Sequence, residues 1–454
     1  MLLRTRISRV WNFLPIPVRL VAGLALLVTS GTLLLLVTEW VSDRPLLWNE
    51  ALFTTVSALT VTGLSVIAPG RDLTGLGQFV LLILIQLGGV GFMALAVVLF
   101  QLLGWQVRLE NRIALREALG LNNLSEILRL TQRAALVLFA IELIGAALLF
   151  LHWRTRLPLP EGQIAWYALF HAVSAMCNAG FDLFGGLPQF PAGVPTDTIS
   201  LVIMCTLIFL GGIGIPVITN VLQLYRQRKL RFHVKIALVT SVVLILFGGL
   251  ALMFAEGRPG GVLADEPSLW RRFMLSTAQS VSARTAGFAW LPNFDKITAS
   301  SQLLLMTLMF IGASPASMGG GIKTVTFAVL VLSLTSHVRG LREVTLWRRT
   351  IGAQNVQKAA AVLTAALFAV VTATWLLAIT QEITLDRALF EVVSAFATCG
   401  LTLAFTIEMD VFGQLLIMFM MFWGRLGALT VVAAVAWPRK RALISYPEDE
   451  VFIG

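Results

Sequence analysis

The chain has 454 residues, of which 57% are hydrophobic and 13% charged, with a formal net charge of +10 at pH 7. A soluble domain carries about 25% charged and 45–50% apolar residues, and surface-to-volume scaling leaves no way to hide this apolar surplus from water. With a mean hydropathy of +0.85, the surplus must face lipid. The basic excess does not point to nucleic acid, because Lys and Arg fall in short loops between apolar stretches, as the positive-inside rule expects. Cys177, Cys205 and Cys399 lie in apolar surroundings without metal-ligand spacing and read as reduced thiols.

The basic start (Arg4, Arg6, Arg9) leads into an apolar run too long for a signal peptide and lacking a small-residue cleavage site, so it reads as a first transmembrane helix. Eight stretches can span a bilayer of about 30 Å: 18–40, 74–101, 129–151, 198–224, 233–256, 300–335, 358–380 and 411–436. Basic groups precede the first and follow the second (Arg108, Arg112, Arg116, Arg129, Arg133) and the fourth (Arg226, Arg228, Lys229, Arg231, Lys235). They also follow the sixth (Arg339, Arg342, Arg348, Arg349, Lys358) and the eighth (Arg439, Lys440, Arg441). Both termini are therefore expected in the cytoplasm. Arg154, Arg156, Arg258, Arg271 and Arg272 are exceptions that weaken the bias without reversing it.

Each outer connection holds an apolar segment of about a dozen residues, too short to span, that runs into a glycine. Three of these begin Ala-Leu-Phe, at Ala51, Ala168 and Ala388. They continue Val-Ser-Ala, at Val56, Val173 and Val393, and reach Gly63, Gly180 and Gly400 at identical spacing. The third in chain order keeps Val281, Ser282 and Ala283 but reaches Gly287 one residue sooner. A recurrence of about 110 residues is an internal repeat of a whole structural unit. One such glycine reads as an ordinary helix C-cap; four aligned copies between spanning helices read as a pore. Non-helical backbone is tolerated at membrane depth only where it lines a cavity, and carbonyls converging on one axis can replace the hydration shell of a potassium-sized cation.

The expectation is an all-α polytopic membrane protein: eight transmembrane helices plus four re-entrant pore helices, as four tandem helix–pore loop–helix repeats around a pseudo-fourfold pore. The repeats are placed at 1–115, 116–230, 231–350 and 351–440, with a cytoplasmic tail at 441–454. The motifs ending at Gly63, Gly180, Phe181, Gly287, Phe288, Gly400 and Leu401 resemble the Ktr/Trk/HKT superfamily of potassium transporters, most like the Ktr-type membrane subunit. The resemblance covers nearly the whole chain. It extends to the stretch 319–324, to Gly424, Arg425, Leu426 and Gly427, and to the ending 446–454.

The resemblance implies a selectivity filter of backbone carbonyls at Thr60, Val61, Thr62 and Gly63; Asn178, Ala179 and Gly180; Thr285, Ala286 and Gly287; and Thr398, Cys399 and Gly400. One glycine per strand, against two in the strong potassium-channel signature, implies a shorter filter and weaker selectivity. In related plant proteins, serine at the first filter glycine goes with sodium transport; Gly63 here tilts the reading to potassium. Potassium is the expected ion, sodium remains open as a coupling or activating ion, and no organic cofactor is expected in this chain. The resemblance also implies a homodimer on a cytosolic RCK-type nucleotide-binding ring (KtrA/TrkA-like), in the cell's inner (plasma) membrane.

The sixth stretch contains Gly312, Ala313, Ser314, Pro315, Ser317, Gly319, Gly320 and Gly321. Proline removes a donor and clashes with the preceding turn, and consecutive glycines weaken a helix by about 1 kcal/mol each. A broken helix is expected, and the resemblance makes the loop an intramembrane gate. Arg425, in the apolar eighth stretch, needs polar partners; the loop carbonyls are natural ones, and Lys323 either shares that role or snorkels. His171 and Glu391, at equivalent positions, read first as hydrogen-bonding groups behind the filter and second as ion attractors. Glu50 and Asp386 suit helix N-termini, and Glu142 reads as structurally paired. Two rivals remain. One is a sodium or non-selective cation transporter with alternating access, disfavoured because the repeats are parallel. The other is a membrane enzyme, for which His152, His171, His233 and His337 supply no convergent set.

Overall fold

The computed structural model of the chain describes residues 16–40, 42, 44–89, 127–190, 193–222, 230–315 and 317–427. The second apolar stretch beyond 89, the eighth beyond 427, the 439–454 tail and the basic groups around Arg4, Arg108, Arg226 and Arg439 lie outside the described residues. The first helices are α1 (Ile16–Glu39), the short α2 (Trp48–Thr60), one turn of α3 (Pro69–Asp72) and α4 (Gly75–Gly89). Next come α5 (Ile127–Trp153), the short α6 (Glu161–Met176), α7 (Thr198–Ile213) and α8 (Ile215–Leu222). Then follow α9 (Phe232–Glu256), the short α10 (Leu269–Ser282), α11 (Ala299–Phe310) and α12 (Thr324–Val338). The last are α13 (Ala353–Gln381), the short α14 (Leu385–Ala397) and α15 (Val411–Leu426).

The burial pattern is that of a protein solvated by lipid. Leu143, Ile144 and Leu148 on α5, Val243, Phe247 and Phe254 on α9, and Phe368, Val371 and Trp375 on α13 are all exposed. The short helices are the inverse, with Phe53, Phe170 and Phe390 fully buried. Among the described residues, Leu136–Trp153, Phe232–Glu256 and Ala353–Gln381 are long and apolar enough to cross a membrane. The chain is thus helical and polytopic in character.

A hydrogen-bonded latch recurs between the end of each first helix and the start of the helix after the short one. Thr74, Asp197, Thr298 and Asp410 cap α4, α7, α11 and α15, accepting from Gly77, Ser200, Ser301 and Gly413 N–H. Each cap is held in turn: Thr74 by Glu39, Asp197 by His152, Thr298 by Glu256 and Asp410 by Gln381. Each latch closes a loop that contains one short helix, so it fixes the depth at which that helix enters the core.

Among the described residues, two apolar stretches are seen to break and resume as a second helix. The 198–224 stretch, read as one span, ends its helix at Ile213 because Gly214 adopts φ 85°, a conformation open to glycine at little cost. The sixth is interrupted between Phe310 and Thr324. The all-α expectation also needs a correction: Val344–Leu346 and Arg349–Ile351 pair as an antiparallel hairpin. Its turn residues, Trp347 and Arg348, have φ 48° and 61°, the left-handed geometry of tight hairpin turns, and its Val, Thr and Ile residues suit strands.

Packing between consecutive sets is cyclic. α4 lies against α6, α7 against α10, α11 against α14, and α15 returns to α2. The core is therefore a closed circuit with the short helices on its inside.

Candidate functional site

The C-terminal ends of α2, α6, α10 and α14 bring four glycine strands together. In every strand the glycine and the residue two before it have positive φ. The preceding residues are Val61 at 56°, Asn178 at 57°, Thr285 at 81° and Thr398 at 48°. The glycines are Gly63 at 90°, Gly180 at 69°, Gly287 at 81° and Gly400 at 99°. A β-branched residue at positive φ is uncommon, so Val61, Thr285 and Thr398 mark a backbone over-determined by its surroundings.

The strands form a closed ring. A Cβ on Gly63 would lie 2.4 Å from the Ala179 carbonyl oxygen, and one on Gly180 would lie 2.6 Å from that of Ala286. A Cβ on Gly287 would meet the Cys399 oxygen at 2.2 Å, and one on Gly400 the Thr62 oxygen at 2.2 Å. Each glycine therefore faces the carbonyl one residue before the next glycine, and no side chain fits between.

The shorter third segment keeps this register. The N–H just before the glycine bonds to the repeated serine's carbonyl in all four: Thr62 to Ser57, Ala179 to Ser174, Ala286 to Ser282 and Cys399 to Ser394, at 2.7–2.9 Å. Three of these span five residues and the third spans four. The missing residue is thus absorbed at the end of α10, and the strand is unaffected.

The serine side chains hold the strands as well. Ser57 and Ser394 accept the Gly63 and Gly400 N–H at 3.0 and 3.1 Å. Ser174 and Ser282 donate to the Phe181 and Phe288 carbonyls at 2.9 and 2.6 Å. Sequence reasoning quoted these serines as part of the repeat and gave them no role; a hydroxyl repeated four times in an apolar helix is the signal that could have found them. His171, Gln279 and Glu391, two residues before the repeated valine, hold the segment leaving the strand. His171 reaches Asp182 at 2.9 Å, Gln279 accepts from Trp290 N–H at 2.8 Å and Glu391 accepts from Thr402 at 3.1 Å. His171 and Glu391 thus take the structural role, and Gln279 joins them. Glu50 accepts the Leu47 N–H at the start of α2, and Glu142 accepts from Gln86 at 3.1 and 3.2 Å.

The loop from Ile311 to Lys323 packs against the strands. Thr398 Oγ1 accepts the Gly320 N–H at 2.8 Å, and a Cβ on Gly319 would collide with Thr285 Oγ1. Ser314 N–H donates to the Gly212 carbonyl at 2.9 Å, and Thr324 N–H to Ala313 at 3.2 Å. Arg425 donates to the Met318 carbonyl on the loop and to Gly88 on α4. Lys323 turns back to the Gly319 carbonyl and does not snorkel. Arg284, three residues before Gly287, donates to the Gly312 carbonyl at 3.2 Å. Gly312, Ala313, Ser314, Ser317, Gly319, Gly320 and Gly321 thus belong to one loop gripped by three cationic side chains.

Outside the first strand, Asp72 accepts from Ala68 N–H and Arg71 at 2.8 Å and pairs with Arg44 at 2.6 Å. Burial works against its ionisation, but the hydrogen bonds from Arg71, Ala68 and Arg44 outweigh burial and bring its carboxyl down to about 2.

The family model for TrkH, described as a cation transport protein, matches residues 23–442. The Ktr system potassium uptake protein B of Bacillus subtilis (strain 168) is 36% identical over 442 residues, covering 96% of each chain. The protein of the same name from Vibrio alginolyticus is 34% identical, covering 96% of this chain and 94% of its own. The potassium/sodium uptake protein NtpJ of Enterococcus hirae is 32% identical, covering 96% and 97%. The crystal structure of the potassium transporter TrkH from Vibrio parahaemolyticus superposes with a TM-score of 0.67 at 18% identity, covering 90% of this chain and 83% of that one. That likeness shows a shared fold. With nearly its whole length matched in this way, the chain belongs to the TrkH family of cation transport proteins, which are membrane transporters and not enzymes.

Proposed function

We propose that this protein takes up potassium across the plasma membrane through a channel-like pore whose filter is the ring of four glycine strands. The observation that carries the reading is the closure of that ring: each glycine abuts the carbonyl before the next one, from Gly63 round to Gly400. Alternating left-handed residues aim carbonyls at one axis, and carbonyl rings of this kind replace a cation's hydration shell. The four helix sets are then tandem pore units, and α2, α6, α10 and α14 are their pore helices. The names of the Bacillus and Vibrio relatives, potassium uptake proteins, support the choice of ion.

The 311–323 loop acts as the gate. Its carbonyls hold Arg425 and Lys323, so the closed loop also places cationic charge where a permeating ion would have to pass. Uptake requires the loop to leave its contacts with Thr285 and Thr398. The relatives' designation as parts of a Ktr system supports partner components, which in our reading are a second copy of this chain and a cytosolic nucleotide-binding ring. Exposed Arg339, Arg342, Arg348, Arg349 and Lys358 would then face the cytoplasm, with both termini. The name of the Enterococcus relative, a potassium/sodium uptake protein, keeps sodium as a second substrate.

The test is tracer uptake of potassium and of sodium into proteoliposomes, for the wild type, Gly63→Ser and Arg425→Ala. Potassium-selective flux that loses selectivity in Gly63→Ser and rises in Arg425→Ala is the expected result. Equal potassium and sodium flux in the wild type, insensitive to Gly63→Ser, would remove the filter reading.

A further inference from the structure

We propose that Arg284 couples ion selection to gating, by tying the third glycine strand to the head of the 311–323 loop. The inference rests on the pore reading above and deepens it.

Arg284 directly precedes Thr285, the left-handed residue of the third strand, and is only 7% exposed. Its side chain bridges two elements. Nη1 donates to the Ser241 carbonyl of α9 at 3.1 Å, and Nη2 donates to Ser241 Oγ at 3.3 Å and to the Gly312 carbonyl at 3.2 Å. Its Nε is buried without a partner. Every partner is neutral, so the guanidinium is held by carbonyl and hydroxyl oxygens alone among the described residues. A buried cation in a membrane protein is costly without such partners, so the Gly312 carbonyl is not readily given up.

Arg284 also has no counterpart around the ring. The residue three before the glycine is Thr60, Cys177 and Ala397 in the other strands, none with comparable reach. The one long cationic side chain at this position belongs to the set that also contains the loop.

The next residue touches the loop's other end, where Gly319 has no room for a Cβ beside Thr285 Oγ1. Two consecutive residues of one strand therefore meet the loop at Gly312 and at Gly319. If the loop withdraws and the strand stays, the Arg284 charge loses one of its three bonds and Thr285 loses its packing. If the strand follows, its carbonyls move. A small cavity beside the guanidinium is lined by Ile208, Gly212, Ser241, Ile245, Arg284 and Ala313. Coupling of this kind is reciprocal: the ion held by the ring biases the loop as much as the loop biases the ring.

The experiment compares Arg284→Gln and Arg284→Lys with Arg425→Ala in proteoliposomes, reading both total flux and the potassium-to-sodium ratio. Loss of a charge-assisted bond corresponds to a roughly ten-fold shift between closed and open loop. Arg284→Gln is expected to raise flux and lower the ratio together, with Arg284→Lys partly restoring both. Arg425→Ala is expected to raise flux at an unchanged ratio. Arg284 variants that change flux alone, or the ratio alone, would overturn the coupling while leaving the gate intact. An inert Arg425→Ala would instead count against the gate reading itself. Hydrogen exchange of the wild type supplies a second measurement that needs no variant. Exchange over 311–323 should differ between potassium and sodium buffers, and identical exchange in the two overturns the proposal.

Discussion

Thr398 and Gly320 join a glycine strand to the loop through one hydrogen bond, the Gly320 N–H donating to Thr398 Oγ1 at 2.8 Å, with Thr398 fully buried. An N–H left unpaired at a buried position costs about 1–3 kcal/mol. Thr398→Val removes the acceptor at nearly constant shape, and Thr398→Ser keeps it. In tracer flux, Thr398→Val should be several-fold more active and Thr398→Ser close to wild type. If the two behave alike, this bond does not hold the loop.

The ring also predicts which glycines matter. Gly63 and Gly260 share the same backbone angle, φ +90°, but a Cβ on Gly260 meets nothing within 4 Å. A left-handed L-residue costs roughly 1–2 kcal/mol, and that cost applies at both sites. Only at Gly63 does the new Cβ also meet a carbonyl oxygen, at 2.4 Å. Gly260→Ala should therefore lose a little thermal stability and keep its potassium-to-sodium ratio. Gly63→Ala should lose the ratio. A normal ratio in Gly63→Ala would show that the ring can open there without consequence.

The glycine strands are legible in the sequence because the same residue types recur at the same spacing. The backbone needs glycine at each closing position, and the serine three residues past the position of His171 or Glu391 serves every strand. The latches are hidden because their chemistry changes while their geometry does not. Glu39 with Thr74 and Glu256 with Thr298 place the acid on the first helix, whereas His152 with Asp197 and Gln381 with Asp410 place it on the cap. No one residue pair serves all four latches, so an alignment of the four segments does not expose them. Gly214 is missed for another reason: a lone glycine in an apolar run is usually tolerated within a helix. The 344–351 hairpin lacks the Asn-Gly or Asp-Gly turn that announces such a structure, having Trp347 and Arg348 instead.

The Glu256 latch leads to a stability prediction that is independent of transport. Its Oε1 accepts the Thr298 N–H at 2.9 Å and the hydroxyl at 2.8 Å, and its Oε2 accepts the Val262 N–H at 2.8 Å. Glu256→Gln replaces one accepting oxygen with an NH2 group, so at least one of these donors loses its partner. The cost should be about 1–3 kcal/mol, seen as a lower unfolding temperature in detergent, with flux per folded molecule unchanged. A variant as stable as wild type would mean that the latch is replaceable by solvent.

Asp72 gives the fold a dependence on acid whose sign follows from its environment. Its carboxyl is lowered from 3.8 to about 2 in the folded protein, so the ionised form favours folding. Its contribution is complete above the ordinary carboxylate value and is lost as the pH falls from about 4 towards 2. Arg44 and Arg71 are 49% and 59% exposed at their side chains, so salt should weaken their share. The Ala68 N–H bond, at 2.8 Å, is local and less sensitive to salt. Unfolding temperature measured from pH 6 to pH 2 should therefore fall more steeply for the wild type than for Asp72→Asn below about pH 4. High salt should reduce the difference without abolishing it. Parallel curves would assign the acid sensitivity to other carboxylates. Asp72 would then be a passive cap on the segment that leaves the first glycine strand.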